Sequence, residues 1–241
     1  MKTGTLLLLI LLGSFLTAET ADEILVKMEN AGEYTTSEME SEMKIVTAKG
    51  DETKMRLMSY EKRGDEDFSL MWFTEPARLK GTKILTKGDN IWYYNVRTNR
   101  DRLLTKSAKK GSMMGSSFSY DDMDMEYTKD FTAQILEDKK DFYWIKAVPL
   151  DEDRKYSYLK IKVRKEDFLP EIVEYYDKTE SKYKEMILDE FVTIDDHPTA
   201  LNIRMEDLSN GKITYMITDP ETLKFNSDLN EDLFNEKKLK Q

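Results

Sequence analysis

Imidazole chemistry in this chain would have to rest on one side chain, because His197 is its single histidine. It stands in Asp195-Asp196-His197-Pro198, where a neighbouring carboxylate could orient it as a general base. Such a base needs a nucleophile, and no Gly-x-Ser-x-Gly elbow accompanies it. A solvated histidine in a turn between strands is the better account. Asp121, Asp122, Asp124 and Glu126 form an acidic cluster. They lack the glycine-centred spacing of a calcium loop, and acids at the start of a short helix are explained by the helix dipole. With 47 acidic residues, carboxylate pairs suited to glycoside hydrolysis are always available, and none stands out. Lys106, Lys109 and Lys110 make the one notable basic cluster, suited to an anionic headgroup, to an acidic partner or to solvent alone.

Composition removes most other chemistry. The chain has no cysteine, which excludes disulfides, thiol nucleophiles, iron–sulfur clusters and thiolate zinc sites. There is no Walker loop and no dinucleotide fingerprint. The formal net charge of −10 disfavours a nucleic-acid backbone as partner. Charged residues at 35% against 39% hydrophobic exclude a multi-span membrane protein. The expectation is a protein that is not an enzyme, with no catalytic residue, no metal ligand and no cofactor.

Residues 1–18 read as a secretory signal. Lys2 supplies the positive start, Leu6 to Leu12 is an unbroken apolar run, and Thr17-Ala18 offers a small residue for cleavage. The run is shorter than the roughly 20 apolar residues a membrane span needs. The remainder, 19–241, carries no Pro-, Gly- or Ser-rich linker and reads as one domain. A short amphipathic helix begins at Thr20 or Asp22, with Ile24, Leu25 and Met28 on one face, and ends near Asn30-Ala31-Gly32.

From Ser37 the period becomes two. Met39, Ser41, Met43 and Ile45 alternate with Glu38, Glu40, Glu42 and Lys44, as in an antiparallel strand with one wet face. Turn-bounded strand segments follow at 55–60, 68–73, 82–86, 90–95 and 100–105. They resume at 131–136, 141–148, 156–164, 170–177, 182–194, 199–208 and 212–218. Asn210-Gly211 suggests a type I′ hairpin. Between the two runs, 106–119 is rich in Lys, Gly, Ser and Met and reads as a mobile loop, followed by a short acidic helix near 120–127. One last helical turn or two fits 228–234. The expected architecture is an α+β domain, a single antiparallel sheet of roughly ten strands, strongly curved because a sheet of that size does not stay flat.

Its inner face would be rich in Met, Trp, Tyr and Phe, with few helices to cover it. Two readings stay open: a container for an acyl chain, or a core that packs on itself.

A resemblance bears on that choice. The ordered segments Phe73-Thr74-Glu75-Pro76-Ala77-Arg78-Leu79-Lys80-Gly81-Thr82-Lys83-Ile84-Leu85, Asn90-Ile91-Trp92-Tyr93-Tyr94 and Gly111-Ser112-Met113-Met114-Gly115-Ser116-Ser117-Phe118-Ser119-Tyr120-Asp121-Asp122-Met123 resemble the outer-membrane lipoprotein-sorting family, the LolA-like carriers. The likeness runs from about Asp22 to Phe234. Two departures are Asn95-Val96 where the family has a proline, and Ser117 where it has an acid before the Phe. The resemblance implies a half-open antiparallel β-barrel lidded by short α-helices. It implies a periplasmic, monomeric carrier of lipid or lipoprotein acyl chains, without catalysis. It also implies an inner-membrane partner, a transporter of the resistance–nodulation–division type or a lipoprotein exporter. The family's cavity arginine maps onto no arginine of this chain.

On that reading Trp72, Trp92, Tyr94, Met113, Met114, Phe118 and Trp144 are the expected cavity contacts, and 111–119 is the expected gate. A one-residue error of face in any strand reverses its assignment. Shielding ten methylenes would gain roughly 8 kcal/mol before ordering costs. The rivals are a sensor or adaptor module on the same fold, and a hydrolase using His197 or an acidic pair.

Overall fold

The computed structural model describes residues 19–123 and 125–240, so the secretory signal expected at 1–18 and Asp124 of the acidic cluster lie outside the described residues. The first element is α1 (Ala21–Glu29). Thr20 caps it in a capping box: its hydroxyl accepts from the Glu23 amide, and the Glu23 carboxylate accepts from the Thr20 amide at 2.8 Å. Ile24, Leu25 and Met28 are buried, as their spacing predicts.

Six strands follow: β1 (Thr36–Val46), β2 (Glu52–Lys62), β3 (Phe68–Glu75), β4 (Lys83–Lys87), β5 (Asn90–Asn95) and β6 (Arg100–Leu103). Residues 104–130, here called the strap, then contain α2 (Lys106–Lys109), a 3-10 turn at Tyr120–Met123 and α3 (Tyr127–Asp130). Eight more strands come after it: β7 (Phe131–Asp138), β8 (Phe142–Pro149), β9 (Tyr158–Arg164), β10 (Pro170–Tyr176), β11 (Lys182–Ile194), β12 (His197–Asp207), β13 (Lys212–Thr218) and the two-residue β14 (Lys224–Phe225).

All the strands form one antiparallel sheet in the order β6-β5-β4-β3-β2-β1-β13-β12-β11-β10-β9-β8-β7, with β14 beside the start of β1. Two meanders are thus joined by the β1–β13 pair, in which Met43 stands opposite Met216. The edges are β6 and β7, consecutive in the chain and not paired with each other. Laid flat, they would be separated by twelve strand spacings, roughly 58 Å. Yet Lys129 of α3, just before β7, reaches Asp89 in the β4–β5 turn at 3.4 Å, and Lys106 after β6 reaches Asp151 after β8 at 2.9 Å. The sheet therefore curls until its edges nearly meet, and stays open between them.

The sheet has 14 strands, against the roughly ten expected. The segments read as strands do pair, and β14 is too short to show alternation in sequence. The acidic helix expected near 120–127 is instead the 3-10 turn and, four residues later, the start of α3. The Asn210-Gly211 turn is a four-residue loop between Asp207 and Lys212, in which only Gly211 has positive φ. The two-residue hairpin with both central residues at positive φ sits at Asp195-Asp196.

Two apolar layers result. The inner one joins α1 and the strap to side chains from both meanders, among them Phe73, Ile91, Ile145 and Ile161. The outer one is smaller: Leu229, Leu233, Phe234 and Leu239 of the tail cover Leu70, Leu85 and Tyr94 on β3–β5.

Candidate functional site

The inner face of the curl is where the chain gathers its methionines. Period-two alternation points Met43 of β1, Met55 of β2, Met71 of β3, Met205 of β12 and Met216 of β13 into it, and α1 adds Met28. The unbranched thioethers fill irregular space without fixing one packing. Against them the strap presents Met113 and Phe118, both buried, with Met114 and Met125 partly so. Residues 111–119 are thus not an exposed loop. Ser112 and Ser119 form a β-bridge, and the Ser116 amide donates to the Met113 carbonyl at 2.9 Å across a turn with Met114 and Gly115 at positive φ.

The centre of the strap is tied to β13 and β11. The Ser117 amide donates to Thr214 Oγ1 at 2.8 Å, and the Ser117 hydroxyl to the Lys212 carbonyl at 3.0 Å. Lys212 Nζ returns a bond to the Gly115 carbonyl at 2.9 Å. Beneath the strap, Lys184 of β11 pairs with Asp122, with side chains only 8% and 5% exposed. The Asp122 carboxylate also accepts from the Ser119 amide at 2.6 Å. A buried pair of this kind offsets its own desolvation and contributes little net stability, but removing one partner alone costs about 3–5 kcal/mol.

Beside that pair runs a chain of rings: Tyr127, Phe131, Tyr156, Tyr175 and Tyr183, with neighbouring centroids 5.5 to 6.5 Å apart. Burial raises the phenol pKa of all four tyrosines above the ordinary value, so they stay neutral. The Tyr175 hydroxyl is fully buried without a hydrogen-bond partner. This ring chain was missed in the sequence analysis; the alternation of Val173 with Tyr175 in β10 is the one signal that could have found part of it.

The clefts bordering this layer are small. One of about 170 Å3 opens between β2–β4 and Met125-Glu126, with Ser59, Ser69, Met71 and Thr86 on its wall. Another, of about 240 Å3, lies between Ser112–Asp122 of the strap and Tyr183-Lys184. Both fall below the ~300 Å3 at which small-molecule pockets begin. A third, of about 420 Å3, lies at the open seam, but it is lined by Lys106, Lys109, Asp121, Asp130, Asp151 and Arg154. In this conformation the chain's own side chains fill the inner face.

The expected contact residues divide accordingly. Met113, Met114 and Phe118 come together on the inner side. Trp72, Trp92, Tyr94 and Trp144 face the other way. Trp72 lies under the Lys83 ammonium at 4.6 Å, and Trp92 and Tyr94 belong to the outer layer under the tail. Trp144 stands opposite Lys162 on the outer side of β8–β9. Their neighbours Met71, Phe73, Tyr93 and Tyr143 point inward instead, the one-residue change of face to which strands are liable.

His197 pairs with neither Asp195 nor a hydroxyl. Its Nε2 lies 3.1 Å from Asn226 Nδ2, and its ring packs at 4.7 Å on Phe225 and at 6.3 Å edge-on to Tyr34. It begins β12 as part of an aromatic contact under the end of α1.

The comparisons with known proteins agree with this geometry. The model of a family described only as an uncharacterized protein matches residues 65–241. The chain belongs to this family, and its fold is LolA-like. Three solved structures carry the fold assignment. The chain is similar to a putative outer membrane lipoprotein-sorting protein domain from Vibrio parahaemolyticus, with 24% identity, a TM-score of 0.84, and 92% of this chain and 98% of that one covered. It is similar to a DUF1329 family protein from Desulfovibrio piger, with 23% identity, a TM-score of 0.84, and coverage of 90% and 97%. A LolA superfamily protein from Nitrosomonas europaea shares 21% identity at a TM-score of 0.74, over 91% and 99% of the two chains. No curated protein matches the sequence. No helix among the described residues of this LolA-like chain is long and apolar enough to cross a membrane.

Proposed function

We propose that this LolA-like protein is an exported, periplasmic carrier that shields the acyl chains of a lipid or lipoprotein on the inner face of its curl and passes them on without chemistry. One observation carries the reading. The methionine-rich face of a sheet that never closes is covered by a strap and one short helix, not by further sheet. Met113, Met114, Phe118 and Met125 occupy the space an acyl chain would take, so loading is an exchange of strap side chains for cargo. Each methylene buried would gain about 0.8 kcal/mol, set against the strap contacts given up. The cargo's donor is an inner-membrane transporter or lipoprotein exporter, and the carrier works as a monomer.

The test uses the absence of native cysteine. Ser117 Oγ and Thr214 Oγ1 are 3.3 Å apart, so a cysteine pair at these positions would tie the strap to β13. In Ser117→Cys/Thr214→Cys, oxidation should abolish binding of a fluorescent fatty acid, and reductant should restore it. Mass spectrometry of gently purified wild-type protein should find co-purifying acyl lipid. A locked protein that binds the probe as well as the reduced one overturns the exchange. A protein that neither carries acyl lipid nor binds the probe when reduced overturns the carrier reading.

A further inference from the structure

The tail covers the outer face of β3–β5 and does not reach that of β7–β10. The outward row of β8 runs Phe142, Trp144, Lys146, Val148 and continues into Leu150. In register beside it, β9 presents Tyr158, Lys160, Lys162 and Arg164, and Lys146 stands directly opposite Lys160. Like charges in directly opposed positions are normally selected against in a sheet. The lysines lie on rings: Lys146 Nζ is 4.0 Å from the Tyr158 centroid, Lys160 4.8 Å from Tyr176, and Lys162 4.7 Å from Phe142. Tyr158 and Tyr176 stack on each other at 4.6 Å.

Nearby acids are engaged elsewhere or with one lysine only. Glu171 pairs with Lys162 at 2.8 Å; Glu174 stands opposite Lys160 in the β9–β10 register, but its carboxylate binds Lys182 at 3.0 Å and the Tyr176 hydroxyl at 2.8 Å. Lys146 and Lys160 thus keep their charge uncompensated by a direct carboxylate contact, in a chain whose net charge is −10. Large apolar side chains border the platform on the β7–β8 side: Leu150 is 63% exposed, Leu136 42% and Val148 39%.

We propose that this face is a docking surface for an anionic lipid bilayer. Lysines would meet headgroup phosphates, Trp144, Tyr158 and Tyr176 would sit at headgroup level, and Leu150, Val148 and Leu136 would enter the acyl boundary. An acidic protein would satisfy the lysines but gives no reason for exposed leucines beside them, so a lipid surface fits both halves of the patch. Docking here brings β7, one edge of the open seam, next to the membrane. The inference goes beyond the carrier reading, because the patch lies on the opposite face from the cargo layer.

Vesicle co-sedimentation with the full mature chain tests it. Phosphatidylglycerol–phosphatidylethanolamine vesicles should bind the protein at low salt, and phosphatidylethanolamine–phosphatidylcholine vesicles should not. Lys146→Glu/Lys160→Glu should weaken binding by at least about twenty-five-fold, at roughly one factor of five per surface lysine removed. Lys146→Gln/Lys160→Gln, which adds no repulsion, should fall between. Lys49→Glu/Lys54→Glu on the distant β1–β2 hairpin makes the same change in net charge and should bind as wild type. The emission of the wild type should shift to the blue on binding, and Trp144→Phe should remove that shift. The docking surface is overturned if wild type ignores anionic vesicles, if the two charge-reversed pairs weaken binding equally, or if poly-glutamate binds through Lys146 and Lys160 while vesicles do not. Loss of docking leaves binding of a soluble acyl probe unchanged, so this failure is distinct from failure of the carrier reading.

Discussion

Asp121 sits in the strap beside the buried Lys184–Asp122 pair, and its half-buried position raises its pKa above the ordinary 3.8, chiefly by desolvation, against the pull of Arg154 and Lys109. The sign of its effect on folding follows. Between the unfolded and folded pKa values the native state binds more protons, so stability falls as pH rises through that window, and the penalty is complete above it. Asp121→Asn should therefore raise the urea midpoint at about pH 7 and have no effect at about pH 2, well below the unfolded pKa, where both states of the wild type are protonated. An equal shift at both pH values would mean that the aspartate acts by shape and not by charge. Single residues also show where sequence reading stops. Leu70-Met71-Trp72-Phe73 is apolar at every position, so its alternation has no phase, and nothing local says that Met71 and Phe73 face inward while Trp72 does not. Met113 and Phe118 were readable as inward residues because they are large apolar side chains in an otherwise Gly/Ser-rich stretch. The partnership of Lys184 with Asp122, 62 residues apart, was not.

At the scale of elements, the docking of α1 depends on how the chain leaves it. Gly32 has φ +69°, and a Cβ there would lie 2.9 Å from the Pro198 carbonyl oxygen at the start of β12. Gly32→Ala should cost about 1–2 kcal/mol from the backbone conformation alone, and more from the contact. Gly50 in the β1–β2 turn has φ +85° with nothing within 4 Å, so Gly50→Ala isolates the backbone cost. Urea denaturation should rank Gly32→Ala as the less stable variant; parity between them would mean that the α1 exit yields without loss. Elements with a clean signature were legible before any coordinates: the cap at Thr20, the alternation of β1 and the turn-bounded meander all stand where their residue types require. The strap was not. Its Gly, Ser and Met residues are those of a flexible loop, and only the tertiary contact with Thr214 and Lys212 folds them inward. The turn at Asp195-Asp196 was legible, but its two-residue form was not, because two aspartates accept positive φ there without the glycine that usually marks such a hairpin.

For the whole molecule the question is whether sheet and strap open together. The β1–β13 pair holds the two meanders in one sheet and lies inside a continuous ladder that runs from β2 to β12. The strap's own bonds are mostly internal, such as Met113 N to the Phe118 carbonyl at 2.8 Å and Tyr120 N to the Gly111 carbonyl at 3.3 Å. The centre of the strap, 111–122, is linked to the sheet by the Ser117 and Lys212 bonds and the Asp122–Lys184 pair, and its two ends by ion pairs such as Lys106–Asp151, Lys129–Asp89 and Arg154–Asp130. Lifting the centre of the strap between its anchored ends breaks the Ser117, Lys212 and Asp122 contacts and exposes apolar side chains, but leaves the ladder intact. Native-state hydrogen exchange should then place the amides of Met113, Ser117 and Phe118 in a unit that opens at a lower free energy than the amides of Met43 and Met216, which should exchange only through global unfolding. An acyl ligand taken up beneath the strap should lower strap protection further while raising that of the sheet, because cargo binding stabilises the open-strap state by mass action. If strap and β1–β13 amides exchange at one common free energy, the inner face is reached only by unfolding the protein, and a sheet that stays open at its seam would have no use as a carrier.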